Sequence, residues 1–324
     1  MTNDVSGLTG LLEILSWARP HDSHIERAFC REYLDSIPGM KADAFGNRML
    51  TIGDRPRVMW SCHVDTVAKR DGHQDVCIDK GGIARLCKGK PGMSLGADDG
   101  AGIWIMLNMI AASRPGFYLF HRGEEQGCLG SNWIQKNTPE LLKDIDAAIA
   151  FDRAGYNDVI THQSYGRTCS DAFATSLAKA LNDLNRGFRY EPDNTGVFTD
   201  TNEYAGIIPE CTNLSVGYYD QHGPRETLDV DHCEQLLAAM LKLDASRLVI
   251  ERDPAVREDD PWHWSGRYRH YQDDCGDSYT ELVAEYPRLA AELLENSGVS
   301  LDDFRMILWE EEMSDDRAYR PIMA

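Results

Sequence analysis

The chain has 324 residues, 42% of them hydrophobic and 27% charged, a composition ordinary for a globular protein and too apolar for general disorder. Its 33 Lys and Arg against 53 Asp and Glu leave a formal charge of −20, a field that repels phosphate backbones and anionic lipid and so excludes nucleic acid and membrane as expected partners. No apolar run is long enough to span a bilayer, the opening segment is acidic where a leader peptide is basic, and the nine cysteines lack CxxC pairs; the expected setting is a reducing cytoplasm, with the thiols serving mostly as small buried hydrophobes.

The first strand signals are Met49 to Ile52 and Arg57 to Cys62, the second set off by Asp54 and Pro56. Val76 to Ile78 and Ile83 to Leu86 flank an Asp79-Lys80-Gly81-Gly82 turn and read as a hairpin. Ala101 to Ser113 is long and continuously apolar enough for a buried helix, and after the Pro115-Gly116 break Phe117 to Phe120 reads as a strand. A helix near Ser131 to Asn137, strands at Ala147 to Phe151 and Asp158 to Thr161, and an amphipathic helix from Asp171 to Leu184 follow. A strand at Thr212 to Tyr218 and a helix at Asp231 to Val249 complete the series.

This alternation predicts an α/β three-layer sandwich, a mixed and largely parallel central sheet between helices. Residues 1–250 form the expected catalytic domain. Residues 251–324 are rich in acid and yet carry helical patterning around Leu289, Leu293, Leu294, Phe304, Ile307 and Leu308, so a helical C-terminal extension is expected, packed on the domain or on a second copy in a homo-oligomer.

The chemistry-bearing residues fall where predicted strands end. His63 and Asp65 leave the second strand on one side, the arrangement in which a carboxylate can orient a ligand histidine. Asp98 and Asp99 lie in a glycine-rich turn before the apolar helix, where an N-cap is the plainer reading. Glu124 and Glu125 follow the next strand, Asp152 ends another, and His222 follows the last. Each alone has a bland explanation. Together, two imidazoles and three carboxylates at the carboxyl ends of strands of an open α/β sheet make two N/O coordination spheres with one carboxylate shared and room left for water.

The segments SCHVDTV, GADDGAG, RGEEQG, AFDRAG and HGPRETLD, in that order, resemble the co-catalytic di-zinc aminopeptidases and their carboxypeptidase and deacylase relatives. The short interval between Asp152 and His222 leaves no room for an inserted lid domain, so the resemblance is closest to the lidless, single-domain aminopeptidases. It implies that His63, Asp98 and Asp152 hold one zinc and Asp98, Glu125 and His222 the other, with cobalt or manganese as substitutes. The choice of Asp98 over Asp99 as the bridge rests on the resemblance alone. Asp65 would orient His63, and Glu124 would be the general base for a water bridging the two ions. The implied activity is amide hydrolysis, most simply as an aminopeptidase on short peptides. Deacylation of small N-acyl amino acids, or a catalytically silent metal-binding protein with an acidic docking region, are the alternatives.

Overall fold

The computed structural model describes residues 5–163 and 166–256, all within one unit that runs from Met1 to Pro261. Its centre is an eight-stranded mixed sheet. From one edge the order is Glu191–Asp193, Asp158–Ile160, Glu210–Ser215, Ala147–Arg153, Val58–His63, Gly116–His121, Arg48–Ile52 and Lys41–Ala42. The four middle strands, Glu210–Ser215 through Gly116–His121, are mutually parallel, while antiparallel neighbours lie to either side.

The sheet is covered on both faces, which is why its middle strands read as apolar runs. Side chains alternate between two cores with the period of two that a strand imposes. Trp60, Cys62, Tyr118, Phe120, Ile149 and Phe151 join the larger core with Trp104 and Ile105 of the Ala97–Ala111 helix. Met59, Phe117, Leu119 and Ala148 point the other way, toward Ile134, Tyr204 and Ile208. The Ala97–Ala111 helix is buried all round, so its sequence carries no polar stripe.

The expected strands and the helices at Asp171–Leu184 and Leu129–Asn137 are present. Two elements end earlier than their sequences suggest. The last strand stops at Ser215, because Gly217 at φ 99 turns the chain into a separate four-stranded sheet of Tyr218–Tyr219, Thr227–Asp229, Ile83–Leu86 and Val76–Ile78. The last helix stops at Met240; Asp244 then accepts the Ser246 N–H and starts a short turn of its own. Before Lys41 the chain forms helices at Gly7–Leu15 and His24–Phe29, which the sequence reading does not name.

The cysteines need a correction. Six are buried and free, but Cys77 and Cys87, both exposed, form a disulfide across the hairpin with Cα atoms 5.1 Å apart. Their spacing matches no pair motif, and it is the hairpin register that brings them together. An exposed disulfide removes the argument from cysteine usage for a reducing compartment. No helix among the described residues is long and apolar enough to cross a membrane.

Beyond Val256 the expected C-terminal extension lies outside the described residues. Residues 251 and 252 are tied to the domain: the Glu251 and Arg252 N–H groups donate to the buried Glu210 carboxylate, and the Arg252 guanidinium donates to the carbonyls of Ala205 and Pro209.

Candidate metal centre

The parallel strands Val58–His63, Gly116–His121 and Ala147–Arg153 run side by side, so their carboxyl ends open onto one edge of the sheet. His63 is the last residue of the first, Asp152 lies near the end of the third, and the Glu124–Gln126 turn follows the second. Gly123 and Gly127 bracket that turn at φ 74 and 89, and at Gly123 a Cβ would stand 2.9 Å from His21, so glycine is what lets the chain turn there. Asp98 comes from the start of the Ala97–Ala111 helix, and His222, at φ 64, from the loop between Tyr218–Tyr219 and Thr227–Asp229.

These residues converge. Asp98 Oδ1 lies 2.8 Å from His63 Nε2, and Asp98 Oδ2 lies 3.2 Å from His222 Nε2. His63 Nε2 is also 3.5 Å from Asp152 Oδ1, and His222 Nε2 is 3.2 Å from Glu125 Oε2. Three groupings close enough to share an ion result: His63, Asp98 and Asp152; Asp98, Glu125 and His222; and His63 with Glu124 and Glu125. Asp99 stands apart from them. Its carboxylate accepts the backbone N–H groups of His63 and Gly102, the structural role of a helix start.

The site is far too acidic for its burial. Burial raises Glu125 to about 7 with Asp98 adding to the push, and burial likewise raises Asp152 and carries Glu124 well above the carboxylate range. Burial works against a charged His63, but hydrogen bonds to Asp152 and Asp98 prevail and hold its pKa well above the usual value. Hydrogen bonds to Asp98 and Glu125 lift His222 to about 11. Asp98 is pulled up by burial and more strongly down by His222 and His63, so it stays ionised. The imidazolium protons sit where cations would compensate the carboxylates. Glu125 Oε1 is buried with no hydrogen-bond partner, an acceptor left for something the protein itself does not supply. An imidazole and carboxylate donor set with such an orphaned oxygen fits divalent ions of the zinc class.

Asp65 acts differently from the expectation. The His63 ring is held through Nδ1 by the Asp65 backbone carbonyl at 2.9 Å, whereas the Asp65 carboxylate is 3.8 Å away. That carboxylate instead accepts the N–H groups of Gly123, Glu124 and Glu125, at 2.8, 3.1 and 3.2 Å. It fixes the turn that carries Glu124 and Glu125. The physical reason is the turn itself, whose consecutive N–H groups form a nest that captures the nearest anion.

Four residues around the site lie in segments that share the family resemblance but carry no role in the sequence reading. Thr199 donates its hydroxyl to Asp152 Oδ2 at 2.6 Å, and Tyr218 donates to Asp152 Oδ1 at 3.3 Å. Asp200 is buried, accepts the Ser131 hydroxyl at 2.6 Å and lies 3.2 Å from His121. Glu226 is buried with its carboxylate on the backbone before the Ala97–Ala111 helix. Thr199 and Asp200 open the TDTNEYAGIIPEC stretch, Tyr218 ends the last predicted strand and Glu226 lies in HGPRETLD, so the resemblance marks the segments without assigning these side chains. His121 itself is a satisfied strand histidine, bonded to Tyr204 and Ser61, with burial taking its pKa down to about 3.

Residues 48–206 match peptidase family M28. No curated protein matches the chain. Among solved structures, an aminopeptidase PepT from Bacillus cereus is 12% identical over 72% of this chain and 95% of its own, with a TM-score of 0.56. A tripeptidase from Staphylococcus aureus is 15% identical over 72% of this chain and 95% of its own, TM-score 0.58. The TET1 peptidase of Pyrococcus horikoshii, which can assemble into a tetrahedron or a large octahedral shell, is 15% identical over 72% of this chain and 98% of its own, TM-score 0.51. At these identities the structural likeness establishes the fold, and the family match brings the chemistry.

Proposed function

We propose, from the premise that the chain is a metallopeptidase with a family M28 domain over residues 48–206, that it is an aminopeptidase on short peptides working with two divalent ions, zinc by the donor chemistry. The observation that carries this reading is the placement of Asp98, whose two oxygens face the two histidines separately, Oδ1 toward His63 and Oδ2 toward His222. A carboxylate used on both sides is what a shared ligand requires. His63, Asp98 and Asp152 would hold one ion, and Asp98, Glu125 and His222 the other.

Bound there, the ions would lower the pKa of water and polarise the scissile carbonyl. The remaining work falls to this chain's side chains. Glu124 stands beside the ligands but outside the two sets that share Asp98, and its raised pKa suits a group that takes a proton from the attacking water and passes it to the leaving amine. Asp65 keeps Glu124 in place through the turn's backbone. Thr199 and Tyr218 hold both oxygens of Asp152, so that ligand cannot swing away.

Turnover of aminoacyl anilides and their N-acetylated counterparts, with metal and after chelation, tests the reading. Metal-dependent hydrolysis of the free-amine substrates is expected. Preference for the N-acetyl compounds would make the protein a deacylase, and silence of the fully metal-loaded protein toward both would reject catalysis. Self-association of the full chain is part of the same proposal, with light scattering as its measure.

A further inference from the structure

We infer that Glu226 is a positioning residue for the second metal set, a side chain that couples the loop carrying His222 to the segment carrying Asp98. The inference rests on the two-ion reading of the site. His222 is 50% exposed in its side chain and sits on a loop, whereas Asp98 is 8% exposed. Nothing in a surface loop by itself keeps an imidazole opposite a buried carboxylate.

Glu226 supplies the constraint. It follows His222 by four residues, its N–H donates to the Gly223 carbonyl at 3.2 Å to close the intervening turn, and its side chain is 1% exposed. The Asp98 N–H donates to Oε1 at 3.0 Å and the Gly96 N–H to Oε2 at 3.1 Å. Both oxygens are therefore engaged with backbone, which marks Glu226 as a brace and not as another ligand.

The local chain explains why the brace comes from so far away. A helix start leaves N–H groups without partners, normally met by a Ser, Thr, Asp or Asn at the N-cap. Here the continuous helix begins only after Asp98 and Asp99, whose backbone is non-helical, and Asp99 caps it through the Gly102 N–H, so the N–H groups of Gly96 and Asp98 lie on an irregular stretch ahead of it. Gly96 itself, in the left-handed region at φ 72, carries no side chain to meet them. The acceptor is delivered instead from a residue 130 positions later, and the loop that delivers it is the loop that carries His222. One carboxylate thus ties down the segment that presents Asp98 and fixes the distance from Asp98 to His222. An outer partner of this kind typically sets metal affinity rather than fold.

The test is a stepwise cobalt titration of the full chain, followed by visible absorption, for wild type, Glu226→Gln, Glu226→Asp and, as a reference for loss of the second set, His222→Ala. Glu226→Gln keeps the size of the side chain but offers one good acceptor in place of two. It is expected to keep one ion at near wild-type affinity and to weaken the other by about tenfold to a hundredfold, toward the His222→Ala pattern. Its kcat should return toward wild type at saturating cobalt, a rescue that a folding defect would not show. Glu226→Asp, which keeps the charge but is a methylene shorter, should also weaken only that ion. Equal weakening of both ions with no rescue by metal, or two wild-type affinities in Glu226→Gln, would overturn the role assigned to Glu226. A wild-type chain that takes up fewer than two ions would instead overturn the two-ion reading, and the brace with it.

Discussion

The two halves of the candidate centre are built in different ways. His63 and Asp152 stand at the ends of adjacent parallel strands, almost without exposure, each held by several partners: His63 by the Asp65 carbonyl, Asp152 by Thr199 and Tyr218. His222 stands on a half-exposed loop with positive φ, facing Glu125 on a short turn. A strand end in a packed sheet places a side chain once and for all, because moving it would disturb two cores. A loop places its side chain only as well as its anchors do. The strand-borne half is therefore expected to be rigid and sensitive to any substitution, and the loop-borne half to be adjustable and sensitive chiefly to its anchors.

The largest expected effect lies between the halves. Glu124→Gln removes the proposed base and no ligand of the two sets that share Asp98, so it should retain both ions and lose about a hundredfold to ten-thousandfold in kcat. Near wild-type turnover of metal-loaded Glu124→Gln would assign the base elsewhere.

Substituting the two histidines sharpens the contrast directly. His63→Ala leaves buried carboxylates without their imidazolium and should cost about 3–5 kcal/mol of stability in the metal-free protein, as breaking a buried pair does. His222→Ala, at a half-exposed position, should cost about 1 kcal/mol or less. Urea denaturation of the two variants with metal removed measures the difference, and equal costs would erase the distinction between the halves.

A smaller effect is expected at Asp65. Asn in its place cannot accept three backbone N–H groups equally well, so Asp65→Asn should lower kcat by about tenfold to a hundredfold while the His63 ring, held by a backbone carbonyl, stays in place. Loss of the ion bound through His63 would show that the carboxylate orients the ring after all.

The smallest concerns pH. Burial raises Glu125 to about 7 in the folded protein, and hydrogen bonds to Asp98 and Glu125 raise His222 to about 11. A group with a raised folded pKa contributes stability that is complete below its unfolded pKa and lost as pH rises through the folded one. Metal-free protein should thus lose stability from about pH 4.5 to pH 7 through Glu125 and from about pH 6.5 to pH 11 through His222, whereas metal binding, which releases the protons, should strengthen as pH rises over the same range. Thermal melts with and without chelator should diverge as pH rises, and parallel curves would contradict the acid-crowding account.

How much of this was legible beforehand follows from the range of the interactions involved. The strands ending at His63 and Asp152, the hairpin at Val76–Leu86 and the five proposed ligands could be read because each is a local pattern next to a strand signal. The division of the ligands into two sets around Asp98 was available only through family resemblance, since Asp98 and Asp99 are equivalent as sequence; the fold separates them by sending Asp99 to backbone N–H groups. Thr199, Asp200 and Glu226 lie in segments the family resemblance includes, but their contacts were not legible, because their partners lie tens of residues away and a polar side chain in a loop gives no sign of what it will meet. The Cys77–Cys87 bond was missed for the same reason, its register being set by strand pairing and not by a spacing motif. Asp65 was found and given the wrong contact, because a two-residue spacing specifies a side of the strand but not which acceptor, carbonyl or carboxylate, reaches the ring.

The central claim is that Asp98 serves two ions at once, and metal analysis of the wild type beside Asp98→Asn tests it most directly. Elemental analysis after loading with zinc and removal of free metal should give two ions per chain for wild type and a loss at both sites for Asp98→Asn, because both sets share that carboxylate. Fewer than two ions per wild-type chain, or an Asp98→Asn protein that still holds two, would contradict it.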